Sequence, residues 1–430
     1  MTLIAAVATP VSPDVKPGVS RTIAGTVVGA FGIAAVIVGF AGLLLLTAPQ
    51  SPRIGPVFSG WAEAVDQSPL SALRWLVGDM TEPLFYKSEL ATIGLLAGAL
   101  IAWWAGRRRC RWAGELSYGT GLWPWVMASA CLSLLISNAA FGWMLDGGWQ
   151  PTFVPFVCVA PAVVLVHGPG WKTCVTGAVL GAASTTALAV LLSALLSDPL
   201  GLPSSVANVA AMSIGTAVSF LVIQRLPGLV GATQGAAGDR EDVRGLPAGG
   251  DPLPADVMPE AAPKPGPPAS GMSFRNEVHW AARRVLKDFT ETFFFANEVA
   301  GIGVILGVAA AFVLNPALPA YGSHLVPHIL CAQAIASAVG VVLWRGWFRN
   351  GGWAATYAPV VSVAPAAVFA FNGSWASIIG GAFLGALLAP PLARLVASWL
   401  PSGFHPVIGN TAAMAVSTAV VLPVLGLLPH

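Results

Sequence analysis

The chain has 430 residues, of which 56% are hydrophobic and 9% charged, with a formal net charge of +2. Soluble domains carry about 25% charged residues, so most of the outside of this molecule must face lipid, and so small a net charge gives no reason to expect a nucleic-acid partner. The five cysteines, without paired spacing, imply neither a disulfide framework nor a zinc site.

Taken in chain order, residues 1–21 read as a cytoplasmic N-terminal tail. The apolar run Thr22 to Ala48 is too long for a signal-peptide core of about 7–15 residues. It follows Lys16 and Arg21 and reads as a retained membrane helix, 22–48. Residues 49–78 form an external amphipathic or loop segment. Apolar segments near 80–106, 121–145, 151–167, 171–197 and 203–225 approach the roughly 20 residues a span needs and make up a first unit, 79–226. Residues 227–272, rich in Pro, Gly and acidic residues, have nothing to pack and read as a disordered cytoplasmic linker. An amphipathic interfacial helix, 273–287, leads into a second unit, 288–430, with apolar segments near 290–315, 324–344, 353–371, 374–399 and 406–427. The expected total is eleven spans.

The two units repeat one another. Asp79-Met-Thr81-Glu82, followed by Glu89 and Gly94, matches Asp288-Phe-Thr290-Glu291, followed by Glu298 and Gly303, at constant spacing. Gly147-Gly-Trp149, Pro155, Val159-Ala-Pro161-Ala and Trp171 match Gly351-Gly-Trp353, Pro359, Val363-Ala-Pro365-Ala and Trp375. Gly177 and Leu180-Gly181-Ala match Gly381 and Leu384-Gly385-Ala, and Asn208-Val-Ala-Ala-Met212 matches Asn410-Thr-Ala-Ala-Met414 after a two-residue slip. Ala and Gly bias could produce one such match; four ordered blocks with Trp, Pro, Asn and Glu in register require duplication.

Short cytoplasmic loops collect Lys and Arg. Arg107-Arg-Arg-Cys-Arg111 marks the first loop of unit one as inside, while its equivalent, Pro316 to Ser323, is uncharged. At the next loop the bias reverses, with Asp146 in unit one and Arg345 and Arg349 in unit two. The third and fourth pairs, Lys172 against Asn372-Gly-Ser and Asp198 against Arg394, alternate in the same way. The expected fold is therefore an all-α polytopic membrane protein with two inverted-topology repeats of about five transmembrane helices plus one extra N-terminal helix. The N-terminus lies inside and the C-terminus outside. Abundant Arg, Gly, Ala and Pro suggest a bacterial cytoplasmic (inner) membrane.

Six of the candidate binding residues are polar. Glu89 and Glu298 lie within apolar runs, where a carboxylate is costly and is a functional candidate; desolvation raises its pKa toward proton coupling. Lys87 is the expected partner of Glu89. Asp79 with Glu82, and Asp288 with Glu291, have the spacing of a helix start with a reciprocal cap; Glu82 and Glu291 are secondary candidates because they share a helix face with Glu89 and Glu298. Asn208 and Asn410 want hydrogen bonds to another helix or to a ligand. Pro161 and Pro365, with Pro155 and Pro359, interrupt the third span of each unit, the feature that marks binding sites in inverted-repeat carriers. The Gly-x-x-x-Gly pairs are read as packing. His324 and His328 have ligand spacing but no acidic neighbour in sequence, and no metal is expected.

The functional expectation is a secondary active transporter that moves a small solute by alternating access, coupled to protons or sodium. The alternatives are a passive channel for a small solute and a lipid-handling protein or intramembrane enzyme. No phosphate loop, Gly-x-Ser-x-Gly or metalloprotease helix is present, so an enzyme is not favoured. The expected partners are a small-molecule or ion substrate and membrane lipid, with a homodimer left open. No cofactor is expected beyond Na⁺ or H⁺ as the coupling ion.

Overall fold

The computed structural model describes residues 17–144, 150–231, 273–350 and 352–428. Most of the expected N-terminal tail and linker, together with Gly147 to Trp149 and Gly351, lie outside the described residues. The described residues are helical with no strand. Eight helices are long and apolar enough to cross a membrane, as in a multi-pass membrane protein. They are α1 (Pro17–Thr47), α4 (Glu89–Arg107), α5 (Trp123–Phe141), α7 (Trp171–Leu200), α8 (Ser204–Arg225), α11 (Val326–Leu343), α14 (Trp375–Ala397) and α15 (Val407–Leu425). Between them lie α2 (Phe58–Glu63), α3 (Pro69–Asp79), α6 (Val159–His167), α9 (Phe274–Glu291), α10 (Glu298–Leu314), α12 (Arg345–Arg349) and α13 (Val363–Ala370).

Three of the eleven expected spans fall short. Pro151–His167 and Pro359–Ala370 are broken: a 3-10 segment containing proline ends at Cys158 (φ −141°, ψ −89°) or Ser362 (φ −137°, ψ −90°), and only then does α6 or α13 begin. Helix α10 has 17 residues.

The Asp-x-Thr-Glu motifs do not start helices, contrary to the capping expectation. Asp79 ends α3, and Asp288 and Glu291 lie in the last turn of α9. Beyond them the chain turns through positive φ at Phe85 (63°) and Lys87 (41°), and at Phe294 (60°) and Ala296 (47°). Thr81 and Thr290 staple these turns. Thr81 Oγ1 donates to the Ser88 carbonyl (3.0 Å) and accepts from Ser88 N–H (3.2 Å); Thr290 makes the same pair with Asn297 at 2.9 and 3.0 Å. The true caps are Ser88, which accepts from Ala91 N–H, and Asn297, which accepts from Val299 and Ala300 N–H. Glu89 and Glu298 are accordingly the first residues of α4 and α10, where the helix dipole favours a carboxylate.

Helices α4 and α10 cross antiparallel through glycines. A Cβ on Gly94 would lie 2.1 Å from the Gly303 carbonyl oxygen, and one on Gly303 would lie 2.2 Å from that of Gly94. One step along, Gly98 meets Val299 O (2.6 Å) and Gly307 meets Leu90 O (2.3 Å). Backbones approach this closely only without side chains between them. The loops cross over as well: Ser117 N–H donates to Phe295 O (3.0 Å) and Ala320 N–H to Tyr86 O (2.6 Å), from stretches with positive φ at Ser117, Tyr118, Ala320 and Tyr321. The Gly-x-x-x-Gly pairs do pack helices. A Cβ on Gly181 would meet Pro155 Cβ at 3.3 Å, and one on Gly385 would meet Pro359 Cβ at 3.0 Å.

The helix expected over 273–287 is longer in the structure. Helix α9 runs to Glu291 and buries a polar stripe of Glu277, Arg284, Asp288 and Glu291. Glu277 accepts from Arg345 (2.9 Å), Arg349 (2.7 Å) and Thr26 (3.0 Å), which ties α9 to α1 and α12. The 49–78 segment is likewise folded: Phe58, Trp61 and Trp75 are buried together, and Phe58 N–H donates to Ala317 O (2.9 Å).

Candidate functional site

Two buried ion clusters form where α3 and α9 end. In the first, Lys87 Nζ lies between Asp79 and Glu82, at 2.8 Å from Glu82 Oε2. Asp79 Oδ2 also accepts from Asn138 Nδ2 (2.9 Å) and Thr152 Oγ1 (2.8 Å), while Glu82 Oε1 accepts from the Tyr321 hydroxyl (3.1 Å). In the second cluster Arg284 bonds both Asp288 (2.7 Å) and Glu291. Asp288 also accepts from Ser337 (2.5 Å) and Thr356 (2.9 Å), and Glu291 from Trp353 Nε1 (2.9 Å). Thr152 and Thr356 are equivalent in the sequence register. The bases are not: Ala296 stands opposite Lys87, and Trp75 opposite Arg284.

Each cluster holds two carboxylates and one base, hence a net charge of −1 when all are ionised. An excess buried charge is costly, and taking up a proton relieves it. Both clusters lie outside the eight apolar helices. Burial pushes the Glu82 carboxyl up to about 7; Lys87 pulls it down and Asp79 pushes it further up. Burial does the same to Asp288, also to about 7, against the pull of Arg284 and with the push of Glu291.

Glu82 borders a cavity of about 420 Å³. Its lining comes from both sides of the linker: Glu82, Phe85 and the α8 start (Ser204, Ser205, Asn208) on one, and Tyr321, Tyr357 and Thr411 on the other. Asn208 is 3% exposed, and its Oδ1 has no hydrogen-bond partner. The equivalent Asn410 borders a second cavity, of about 410 Å³, beside Arg394 and Trp353, and donates to the Tyr357 hydroxyl (3.1 Å). Tyr357 thus stands between the two spaces.

The remaining expected site residues lie elsewhere. Glu89 pairs with Arg74 (2.6 Å) rather than Lys87, and Glu298 pairs with Arg283 and, at 3.9 Å, with Lys287. Neither lines the cavity, because each is committed to a cation one turn or more before its helix begins. Pro161 and Pro365 are buried in the first turns of α6 and α13 and do not reach it either. Glu291 is closed off by Arg284 and Trp353. Among the described residues no group of three or more His, Cys, Asp or Glu could hold a metal ion. Sequence reasoning gives Lys87 to Glu89 and misses Arg284, Tyr321 and Tyr357; Thr152 and Thr356 carry a readable signal in their register.

The fold and site define a multi-pass, all-helical membrane protein with a buried carboxylate beside a cavity. No family model matches the chain, and neither a curated protein nor a solved structure matches it.

Proposed function

We propose that the protein is a secondary active transporter, built from two inverted-topology repeats and moving a small solute by alternating access with protons as the coupling ion. The antiparallel meeting of Gly94 with Gly303, residues paired by the sequence match, supports the inverted arrangement. The reciprocal bonds Ser117 to Phe295 and Ala320 to Tyr86 support it too. On this reading the chain lies in a bacterial cytoplasmic membrane with its N-terminus inside and its C-terminus outside.

The observation that carries the reading is the cavity: residues from both repeats line it, and Glu82 borders it while its equivalent, Glu291, does not and bonds Trp353. A carboxylate on the cavity wall at one cluster, with its equivalent away from that wall at the other, is the asymmetry that an alternating-access cycle exchanges. Coupling therefore belongs to Glu82 and Glu291, not to Glu89 and Glu298. Gradient-driven uptake in proteoliposomes tests this. Glu82→Gln abolishes uptake, whereas Glu298→Gln, which touches only the Arg283 and Lys287 pairing, retains it. Undiminished uptake by Glu82→Gln would sink the proposal, and solute flux that ignores the proton gradient would favour a channel.

A further inference from the structure

The cavity lining specifies the charge of what it holds. Among the described residues, Glu82 is the one formally charged residue of the lining, and no Lys, Arg or His joins it. The nearest base, Lys87, is held by Asp79 and Glu82 themselves. Two buried polar atoms of the lining have no partner: Asn208 Oδ1, an acceptor, and Ser205 Oγ, which can accept as well as donate. A bound solute is therefore asked for N–H or O–H donors and for positive charge, and an anion would meet a carboxylate with nothing to offset it.

Part of the lining is aromatic. Phe58 packs on Tyr321 (ring centroids 5.6 Å), Tyr321 on Phe369 (5.6 Å), and Phe369 on Phe85 (5.8 Å). All four rings line the cavity. The Tyr321 hydroxyl that donates to Glu82 places the carboxylate at the edge of these rings. A flat apolar body can lie on the rings while its cationic end reaches Glu82 and Asn208.

We infer that the cavity takes a monovalent organic cation bearing N–H donors on a flat apolar body, an amidinium, guanidinium or ammonium, and takes it in place of the proton on Glu82. The charge balances. With Glu82 protonated, the Asp79–Glu82–Lys87 cluster is neutral; when the cation enters, the proton leaves to water, and the cluster plus ligand is neutral again. The groups that face Glu82 are Lys87, Asp79 and Tyr321, and the exchange leaves all three bonded as they are. The ligand class is read from the lining alone. The consequence, one proton exchanged for one cation across the membrane, rests on the transporter reading.

The test compares benzamidinium, benzamide and benzoate, three probes of one shape and three charges, for binding to the purified full-length protein. Benzamidinium should bind, with affinity rising about tenfold per pH unit from pH 5 toward 7 and levelling above it. Benzamide should bind at least about tenfold more weakly, and benzoate not measurably. Glu82→Gln should lose about 10- to 100-fold for benzamidinium while keeping its benzamide affinity, which certifies the fold. Asn208→Ala should weaken benzamidinium several-fold without altering the pH slope. Benzoate binding as tightly as benzamidinium, a flat pH profile, or a Glu82→Gln variant that binds benzamidinium normally would each overturn the inference. Counterflow in proteoliposomes separates the two claims. Benzamidinium that binds with proton release but is not carried supports the ligand class and defeats the transporter reading. Proton-driven uptake of another solute with no cation binding does the reverse.

Discussion

Replacing Lys87 by methionine isolates the physics of the first cluster. The Lys87 side chain is 1% exposed, its Nζ serves both Asp79 and Glu82, and it also lies 3.9 Å from the centre of the Trp75 ring. Methionine fills similar volume but leaves two buried carboxylates facing each other without a base. Removing one partner of a buried pair costs about 3–5 kcal/mol. Protonating Glu82 relieves part of that, so the cost should be largest at pH 8 and should shrink at pH 5.5. Glu82→Gln alone leaves Asp79 paired with Lys87 and charge-balanced, a change of about 1 kcal/mol. The double variant Lys87→Met/Glu82→Gln leaves one carboxylate that still accepts from Asn138 and Thr152. It should therefore be more stable than Lys87→Met alone, a sign of coupling that independent sites cannot give. Thermal unfolding midpoints of the detergent-purified proteins at the two pH values read the series. Lys87→Met as stable as the parent at pH 8, or a double variant that falls below the single, would refute the charge argument.

Gly94→Ala and Gly303→Ala should each destabilise by about 1–3 kcal/mol, and by similar amounts, since each new Cβ meets the other helix's carbonyl at nearly the same distance. Gly106→Ala on the same helix, with open space around it, should be neutral or mildly stabilising in the same unfolding assay. Stability should also fall as pH rises. The carboxyls of Glu82 and Asp288 stand at about 7, against ordinary values of 4.5 and 3.8, so the folded chain holds protons that the unfolded chain releases. Their contribution is complete below about pH 4 and is lost through pH 7, at roughly tenfold in the unfolding equilibrium per group per pH unit. Unfolding midpoints that climb from pH 5.5 to 8, or a Glu82→Gln variant with an unchanged slope, would contradict this.

Composition and hydropathy made the membrane class and the helical fold legible, because 9% charged residues leave no other surface. The charged site was less readable. Arg74 stands fifteen residues before Glu89, and Arg283 fifteen before Glu298. That pairing was in register and could have been found by extending the match upstream; Lys87 was instead assigned to Glu89. The roles of Lys87 and Arg284 in the clusters were hidden, since the two clusters draw their bases from positions that do not match in register. The polar stripe of α9 follows helical spacing, but a stripe does not say whether it faces water or a core. Only partners distant in sequence, Arg345, Ser337 and Thr356, turn it inward. Asn208 and Glu82 were found because their cost in an apolar setting is visible in sequence. Tyr321 and Tyr357 were missed because single tyrosines carry no such penalty.

Labelling from the two membrane faces tests most directly whether the two halves point in opposite directions. Thr120 and Ser323 occupy matching positions in the turns before α5 and α11. Each is changed to cysteine in a chain whose five native cysteines are replaced, and intact cells are treated with an impermeant maleimide. The Ser323→Cys protein should react at once, and the Thr120→Cys protein only after the membrane is opened. Reaction of both from the same side would contradict the account.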